Sequence, residues 1–292
     1  MMNDKKKRKS SKNLIIAVII IIIGLLIFLY PTFSYIWNSY RDSRLITKYN
    51  DSMAEVDGEE KEDMLAQAKA YNEKIAARTT KKIIGADEEE RNPEYESLLN
   101  YSKNGIMGYI EIPSIAAKIP IYHYSDADVL EKGVGHIYGS SLPVGGESTH
   151  SVITGHRGLA SAALFSELNK LAEGDEFYIH VCGDILAYKV CKIQTVLPEE
   201  TGKLVLEDGR DLVTLITCTP YAINTHRLLV TGERIEYTGK DKSMVSQAQM
   251  LIHAFNPIKM TVAAAALFLI IICIMKHVKA KNTKKGAKEH EE

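Results

Sequence analysis

Two apolar stretches, one near each end and each followed outward by a run of lysines, constrain this chain more than any other feature. Leu14 to Tyr30 reads LIIAVIIIIIGLLIFLY, without one charged side chain. Pro31 to Trp37 (PTFSYIW) lengthens it with residues suited to a membrane interface. A helix needs about 20 apolar residues to cross the hydrocarbon of a bilayer, so 14–37 reads as a transmembrane anchor. Lys5, Lys6, Lys7, Arg8, Lys9 and Lys12 precede it, and clustered cations stay on the cytoplasmic side. A cleaved leader is the rival reading. Its apolar core would run about 7–15 residues and end at a small-residue cleavage site. Here the core is longer and its flank is bulky and aromatic, which favours an uncleaved anchor.

The second stretch is Ile258 to Met275, with Lys259 near its outer end and Lys276, Lys279, Lys281, Lys284, Lys285 and Lys288 after it. A buried core helix would share its composition, but not its lysine-rich tail. Two spans with basic flanks imply one topology. Residues 1–13 and 276–292 are cytoplasmic tails, and 38–257 lie outside.

Between the spans the chain is polar at first. Over 38–104 the residues Met64, Ala68, Tyr71 and Ile75 recur at helical spacing, predicting amphipathic helices that form a stalk between membrane and domain. Asp87–Glu90 reads as a solvated acidic loop. The whole chain of 292 residues is 46% apolar and 25% charged, which excludes a disordered or collagen-like protein. A net charge of −1 gives no global basic field for nucleic acid. Four cysteines are too few for a disulfide-built scaffold.

From Gly105 the pattern becomes that of short strands, over a domain spanning 105–240 with a linker at 241–257. Met107, Tyr109, Glu111 and Pro113 alternate against Ile106, Gly108, Ile110 and Ile112, a period-2 signal. Further strands are predicted at 117–124, 150–154, 176–182, 185–195, 213–217 and 227–237. A helical turn is predicted at 126–132, and a helix over 159–171 with Gly174 as its stop. Gly183-Asp184 reads as a hairpin turn. That turn separates Cys182 from Cys191 too widely for a bridge. Many short strands divided by turn residues point to a mainly β, closed or nearly closed barrel with short helices.

Cys218 ends the strand Val213-Thr214-Leu215-Ile216-Thr217 and is followed by Thr219-Pro220-Tyr221. A lone cysteine is usually a small buried hydrophobe. A reactive thiol needs a base or a cation nearby. His156, in Thr154-Gly155-His156-Arg157-Gly158, also sits at a strand end, between glycines that permit close approach. Arg227, in Asn224-Thr225-His226-Arg227-Leu228-Leu229-Val230, opens the strand after Cys218. A short loop between the two strands would set Cys218 and Arg227 side by side at one barrel end.

These local sequences resemble the sortases, cysteine transpeptidases of Gram-positive cell surfaces. The resemblance runs through Gly108-Tyr109-Ile110-Glu111-Ile112-Pro113, Leu142-Pro143-Val144-Gly145-Gly146-Glu147, Thr149-His150-Ser151, Gly155-His156-Arg157-Gly158-Leu159, Thr217-Cys218-Thr219-Pro220-Tyr221 and Thr225 to Val230. It covers about 105–237 and is closest to the class C, pilus-assembling branch. It implies a closed sortase-type β-barrel of about eight strands. It also implies that Cys218 is the nucleophile, His156 the acid and base, and Arg227 the oxyanion stabiliser. Thr217, Thr219, Pro220 and Asn224 are the expected substrate contacts. His226 is taken as a structural or supporting residue, and His150, which borders the motifs, reads equally as a packed strand residue.

The substrates implied are secreted pilin or surface proteins with a C-terminal sorting signal such as LPxTG. The location implied is the plasma membrane of a Gram-positive-type cell, with the catalytic domain outside. No cofactor is implied, and the sequence has no zinc spacing and no EF-hand loop. Class C enzymes carry a lid with an Asp-Pro-aromatic anchor. Here that region has no such triplet, leaving Asp87, or a degenerate lid around Asn92, Pro93 and Tyr95, as the candidates. A sortase that anchors proteins to peptidoglycan, a hydrolytic cysteine protease and a non-enzymatic surface module are the competing readings.

Overall fold

A computed structural model describes residues 2–78, 91–159, 162 and 164–239. The chain divides into two units between Phe33 and Ser34. Helix α1 (Met2–Glu55) carries the first apolar stretch and continues through Pro31. Among the described residues it is the one helix long and apolar enough to cross a membrane, with a mean hydropathy of 2.4 over its apolar window and none of that window buried. Ile258–Met275 and the tail after it lie outside the described residues, as does Asp87.

The unit from Ser34 onward is built on a β-barrel. Its strands are β1 (Ile106–Ile112), β2 (Ala117–His123), β3 (Val134–His136), β4 (Thr149–Thr154), β5 (Glu176–Val181), β6 (Asp184–Val196), β7 (Asp211–Thr219) and β8 (His226–Ile235). They close in the order β1-β2-β3-β4-β7-β8-β6-β5. The pairs β2–β3 and β4–β7 are parallel and the rest antiparallel. Val, Ile, Tyr and Thr runs suit such half-buried pleated surfaces.

β1 is buried along its whole length, although its sequence alternates. A bulge lies between Ile106 and Gly108. It lets Met107 join Ile110 and Ile112 in the barrel core, while Ile106 and Tyr109 pack on Ile46, Tyr49, Met53 and Val56 of α1. The last turns of α1 therefore cover the outside of the barrel. The Tyr49 hydroxyl donates to Met107 O at 3.2 Å and accepts from Cys182 N at 2.9 Å.

The stalk expectation is corrected in the same way. Helix α2 (Gly58–Ala76) forms, capped by Asp57, whose carboxylate accepts from Glu60 N. Its stripe Ala68, Tyr71 and Ile75 is not left free but belongs to the core cluster of the barrel. Asn72 fixes it there, donating to Leu142 O at 3.0 Å and accepting from Leu142 N at 2.7 Å. An apolar stripe on a lone helix in water would be costly, so packing against the nearest apolar surface wins.

Two local expectations also change. The hairpin turn is Cys182-Gly183, with φ of +49° and +88°, and Val181 pairs with Asp184. Two successive positive φ values match the type I′ turn that suits strand twist. Cys182 and Cys191 are both free thiols. Over 159–171 no α-helix forms among the described residues, only a 3-10 turn at Leu168–Lys170. Leu164 has φ +37°, which breaks a right-handed helix. Its side chain and those of Leu168 and Leu171 still enter the core. The turn predicted at 126–132 is present as α4 (Ala127–Leu130), capped by Asp126.

Candidate active site

Cys218 is the next-to-last residue of β7 and Arg227 the second of β8. They are direct partners across the antiparallel ladder, a relation that sets Cα atoms about 4.5–5.5 Å apart. On the other side of β7 lies β4, parallel to it, with Thr154 opposite Ile216. Gly155 N donates to Ile216 O at 3.0 Å, and the Thr217 hydroxyl donates to Gly155 O at 2.8 Å. Arg157 Nη1 donates to the Thr219 hydroxyl at 2.9 Å. These contacts tie the chain on either side of His156 to the end of β7 that carries Cys218. The structure thus sets Cys218 opposite Arg227 at one end of the barrel, with the turn that carries His156 leaving β4 at the same end.

All three are partly exposed. Local packing explains why the chain turns there. A Cβ on Gly155 would come within 2.8 Å of Val134 and 2.9 Å of the Phe165 ring, so only glycine lets the chain leave β4 this close to the core. Gly158 has φ +85° and lies against the Tyr221 ring. Phe165 N donates to His156 O at 3.2 Å, fixing the histidine backbone from the opposite side.

The loop from β7 to β8 holds the arginine. Pro220 O accepts from Ile223 N at 3.1 Å and from Asn224 N at 3.0 Å. This folds the loop tightly enough for Asn224 O to accept from Arg227 Nη1 at 3.1 Å, beside His226 O at 3.1 Å. Asn224 therefore supports Arg227 through its backbone. His226 pairs with its neighbour Thr225 at 2.9 Å, and His150 is buried between Val205 O and the Thr214 hydroxyl.

The four expected substrate contacts do not fare alike. Pro220 and Asn224 are exposed on the loop. Thr217 is only 1% exposed and its hydroxyl is spent on Gly155. Its side chain is removed from the expected substrate contacts. Thr219 lies at the rim, but its hydroxyl is held by Arg157.

The lid residues take another place. Asn92 caps the short helix α3 (Pro93–Ser97), its side chain accepting from Tyr95 N. Tyr95 is fully buried and its hydroxyl donates to His136 Nδ1 at 2.7 Å. Its ring packs on Tyr124 and Tyr138. His136 pairs with Ile153, and β3 runs antiparallel to β4. Tyr138 is therefore still farther from the strand end that carries Cys218. Tyr95 is a buried anchor on this side of the barrel, with Asn92 half-buried and Pro93 exposed beside it, and its partners lie away from the cysteine.

Among the described cysteines the thiols of the other two are held above the ordinary range. Burial pushes the Cys182 thiol up to about 11. The Cys191 thiol is also raised by burial, although Arg210 opposes it. A thiolate is the reactive form.

Arg157 was missed by reasoning from sequence. It stands inside the Gly155–Gly158 motif, but nothing in the motif says what its guanidinium bridges.

A family model described as Sortase domain matches residues 110–235. Sortase C1 of Streptococcus agalactiae is 40% identical, aligning 66% of this chain with 99% of its own at a TM-score of 0.61. Sortase C of Streptococcus pneumoniae is 42% identical over 67% of this chain and 98% of its own, also at 0.61. Sortase D of Bacillus subtilis strain 168 is 27% identical over 165 residues, 56% of this chain and 80% of that protein.

Proposed function

Because this chain belongs to the sortase family of cysteine transpeptidases, we propose that it joins pilin subunits at the outer face of a membrane, with Cys218, His156 and Arg227 as its catalytic residues. The observation that carries this reading is the placement of Cys218 between Arg227 on β8 and the end of β4. Similarity to class C enzymes of two streptococci supports the pilin substrate.

The chemistry follows from the residue types. The Cys218 thiolate attacks the threonine carbonyl of an LPxTG-like sorting signal. Arg227, always charged and with a planar donor fork, stabilises the oxyanion that develops. The C–N bond to the glycine breaks as protonated His156 gives its proton to the departing amine. A thioester remains on Cys218. A lysine amine of a second pilin then attacks the thioester carbonyl, loses a proton to His156 and expels the thiolate. One amide is exchanged for another, so no nucleotide energy is required outside the cell.

The apolar part of α1 supports anchoring in the membrane. In this reading 14–37 and 258–275 both span, the termini are cytoplasmic, and 105–240 is the catalytic domain. Holding enzyme and substrate on one membrane raises their effective concentration.

The acceptor is the test. The detergent-solubilised full chain is given a sorting-signal peptide with pilin protein, with a peptidoglycan-stem amine, or with water alone. Pilin lysine is the expected dominant acceptor. Joining only to the stem amine would make this a wall-anchoring sortase. Hydrolysis despite excess amine would make it a protease.

A further inference from the structure

Backbone pairing between β4 and β7 stops at Thr154 and Ile216, two residues short of the level of His156 and Cys218. Beyond that point two side chains tie the segments together. The Thr217 hydroxyl donates to Gly155 O at 2.8 Å, below the level of the pair. Arg157 Nη1 donates to the Thr219 hydroxyl at 2.9 Å, above it. The first tie is buried and neutral. The second is made by a charged group at the rim, and a hydrogen bond of that kind is stronger than a neutral one.

The other edge of the guanidinium is also engaged. Arg157 Nε donates to Ser166 O at 3.3 Å, and the Ser166 hydroxyl accepts from Gly158 N at 3.1 Å. The guanidinium carbon stands 6.0 Å from the centre of the Tyr221 ring. One side chain therefore connects three segments: the turn carrying His156, the chain at 165–166 and the strand end carrying Cys218.

We propose that Arg157 is a positioning residue that, through Thr219, holds His156 level with Cys218 where the backbone ladder no longer does. The inference rests on the reading of Cys218 and His156 as nucleophile and acid–base pair. An imidazole must lie within hydrogen-bond reach of the groups whose protons it moves. The bonds from Phe165 N to His156 O and from Gly158 N to the Ser166 hydroxyl hold the turn to the chain at 165–166 but not to β7, so a cross-tie to the strand that carries Cys218 is still needed. The tie touches neither the reacting sulfur nor the imidazole, so it acts through their placement.

The experiment uses the full-length enzyme with a sorting-signal peptide and an amine acceptor. Misplacement of about 1 Å in a catalytic constellation costs on the order of 100-fold in rate. Arg157→Ala and Thr219→Val should each lower kcat by about 10- to 100-fold, with KM changed by less than about twofold because uniform binding is untouched. Arg157→Lys and Thr219→Ser, which keep a donor or an acceptor, should recover most of the loss. Arg157→Ala combined with Thr219→Val should be no worse than either alone, since both cut the same tie.

A rise in KM with kcat unchanged would overturn the proposal and make Arg157 a substrate contact. Multiplying losses in the double variant, or wild-type kcat in both single variants, would overturn it as well. A Cys218→Ala control separates the two levels. Activity surviving in that variant defeats the assignment of the active site, whereas an inactive Cys218→Ala beside fully active Arg157→Ala and Thr219→Val defeats only the tie.

Discussion

Cys218 and Arg227 stand directly opposite each other on β7 and β8, joined by a loop whose backbone at Asn224 accepts from the arginine side chain. The pairing is a property of strand register, so it persists in the absence of substrate. Removing the guanidinium should then cost catalysis and little stability, because Arg227 is partly exposed. Arg227→Ala should lower kcat by about 10²–10³-fold, as loss of an oxyanion donor does elsewhere. Arg227→Lys should restore only part, since the charge returns without the fork. Steady-state kinetics beside a thermal melt checks both. A melt shifted as strongly as the rate would mean that Arg227 is chiefly structural.

Tyr95 makes the opposite prediction. Its hydroxyl meets His136 Nδ1 at 2.7 Å while His136 Nε2 donates to Ser141 O at 2.8 Å, all in a buried setting. Tyr95→Phe leaves the Nδ1 acceptor unpaired and should cost about 1–3 kcal/mol of stability. Activity per folded molecule should be unchanged. Urea unfolding and kinetics on the same sample check it, and a raised basal activity would return Tyr95 to the role of a lid.

Asn72 tests whether α2 is part of the domain. Asn72→Ala removes both bonds to the Leu142 backbone and strands a buried N–H and C=O. A destabilisation of about 1–3 kcal/mol is expected, with kcat unaffected. No change in the unfolding midpoint would contradict the docking of α2.

Acid should destabilise this domain before it titrates most carboxylates. Burial lowers His136 from 6.5 to about 4. Between those values the native protein keeps His136 neutral while the unfolded chain takes up a proton, so stability falls as the pH drops. One such group contributes a slope of about 1.4 kcal/mol per pH unit. His123 and His150 are also lowered, again first by burial, and add in the same direction. Unfolding free energy should be level above pH 7.5 and lower by at least about 1 kcal/mol at pH 5.0 than at pH 6.5. A flat profile across that range would contradict the buried, neutral histidines.

The strands were legible because Ile106–Ile112, Ala117–His123 and Val213–Thr217 are rich in residues that fit a pleated, half-buried surface. The pairing of Cys218 with Arg227 was legible because one lies where a strand ends and the other where the next begins, whereas the roles of these two and of His156 rest on the resemblance. What escaped depends on contacts between distant parts of the chain. The bulge at Met107 serves the cluster around Tyr49, and Tyr49 also braces the turn at Cys182. Neither signal is local. The segment Asn92-Pro93-Glu94-Tyr95 is ambiguous by nature. A capping side chain, a proline at the first helical position and a buried aromatic describe a helix start as well as a degenerate lid. Only the partners of Tyr95 separate the two. Arg157 was hidden for a related reason: its neighbour Thr219 is 62 residues away.

The nucleophile can be tested by covalent capture. The full-length enzyme is incubated with a sorting-signal peptide without any amine acceptor, quenched in acid, digested and mapped by mass spectrometry. The peptide, ending at its threonine, should be found as a thioester on Cys218, and should be absent from Cys218→Ala. An acyl group mapped to Cys182 or Cys191, or one that persists in the Cys218→Ala protein, would contradict the account.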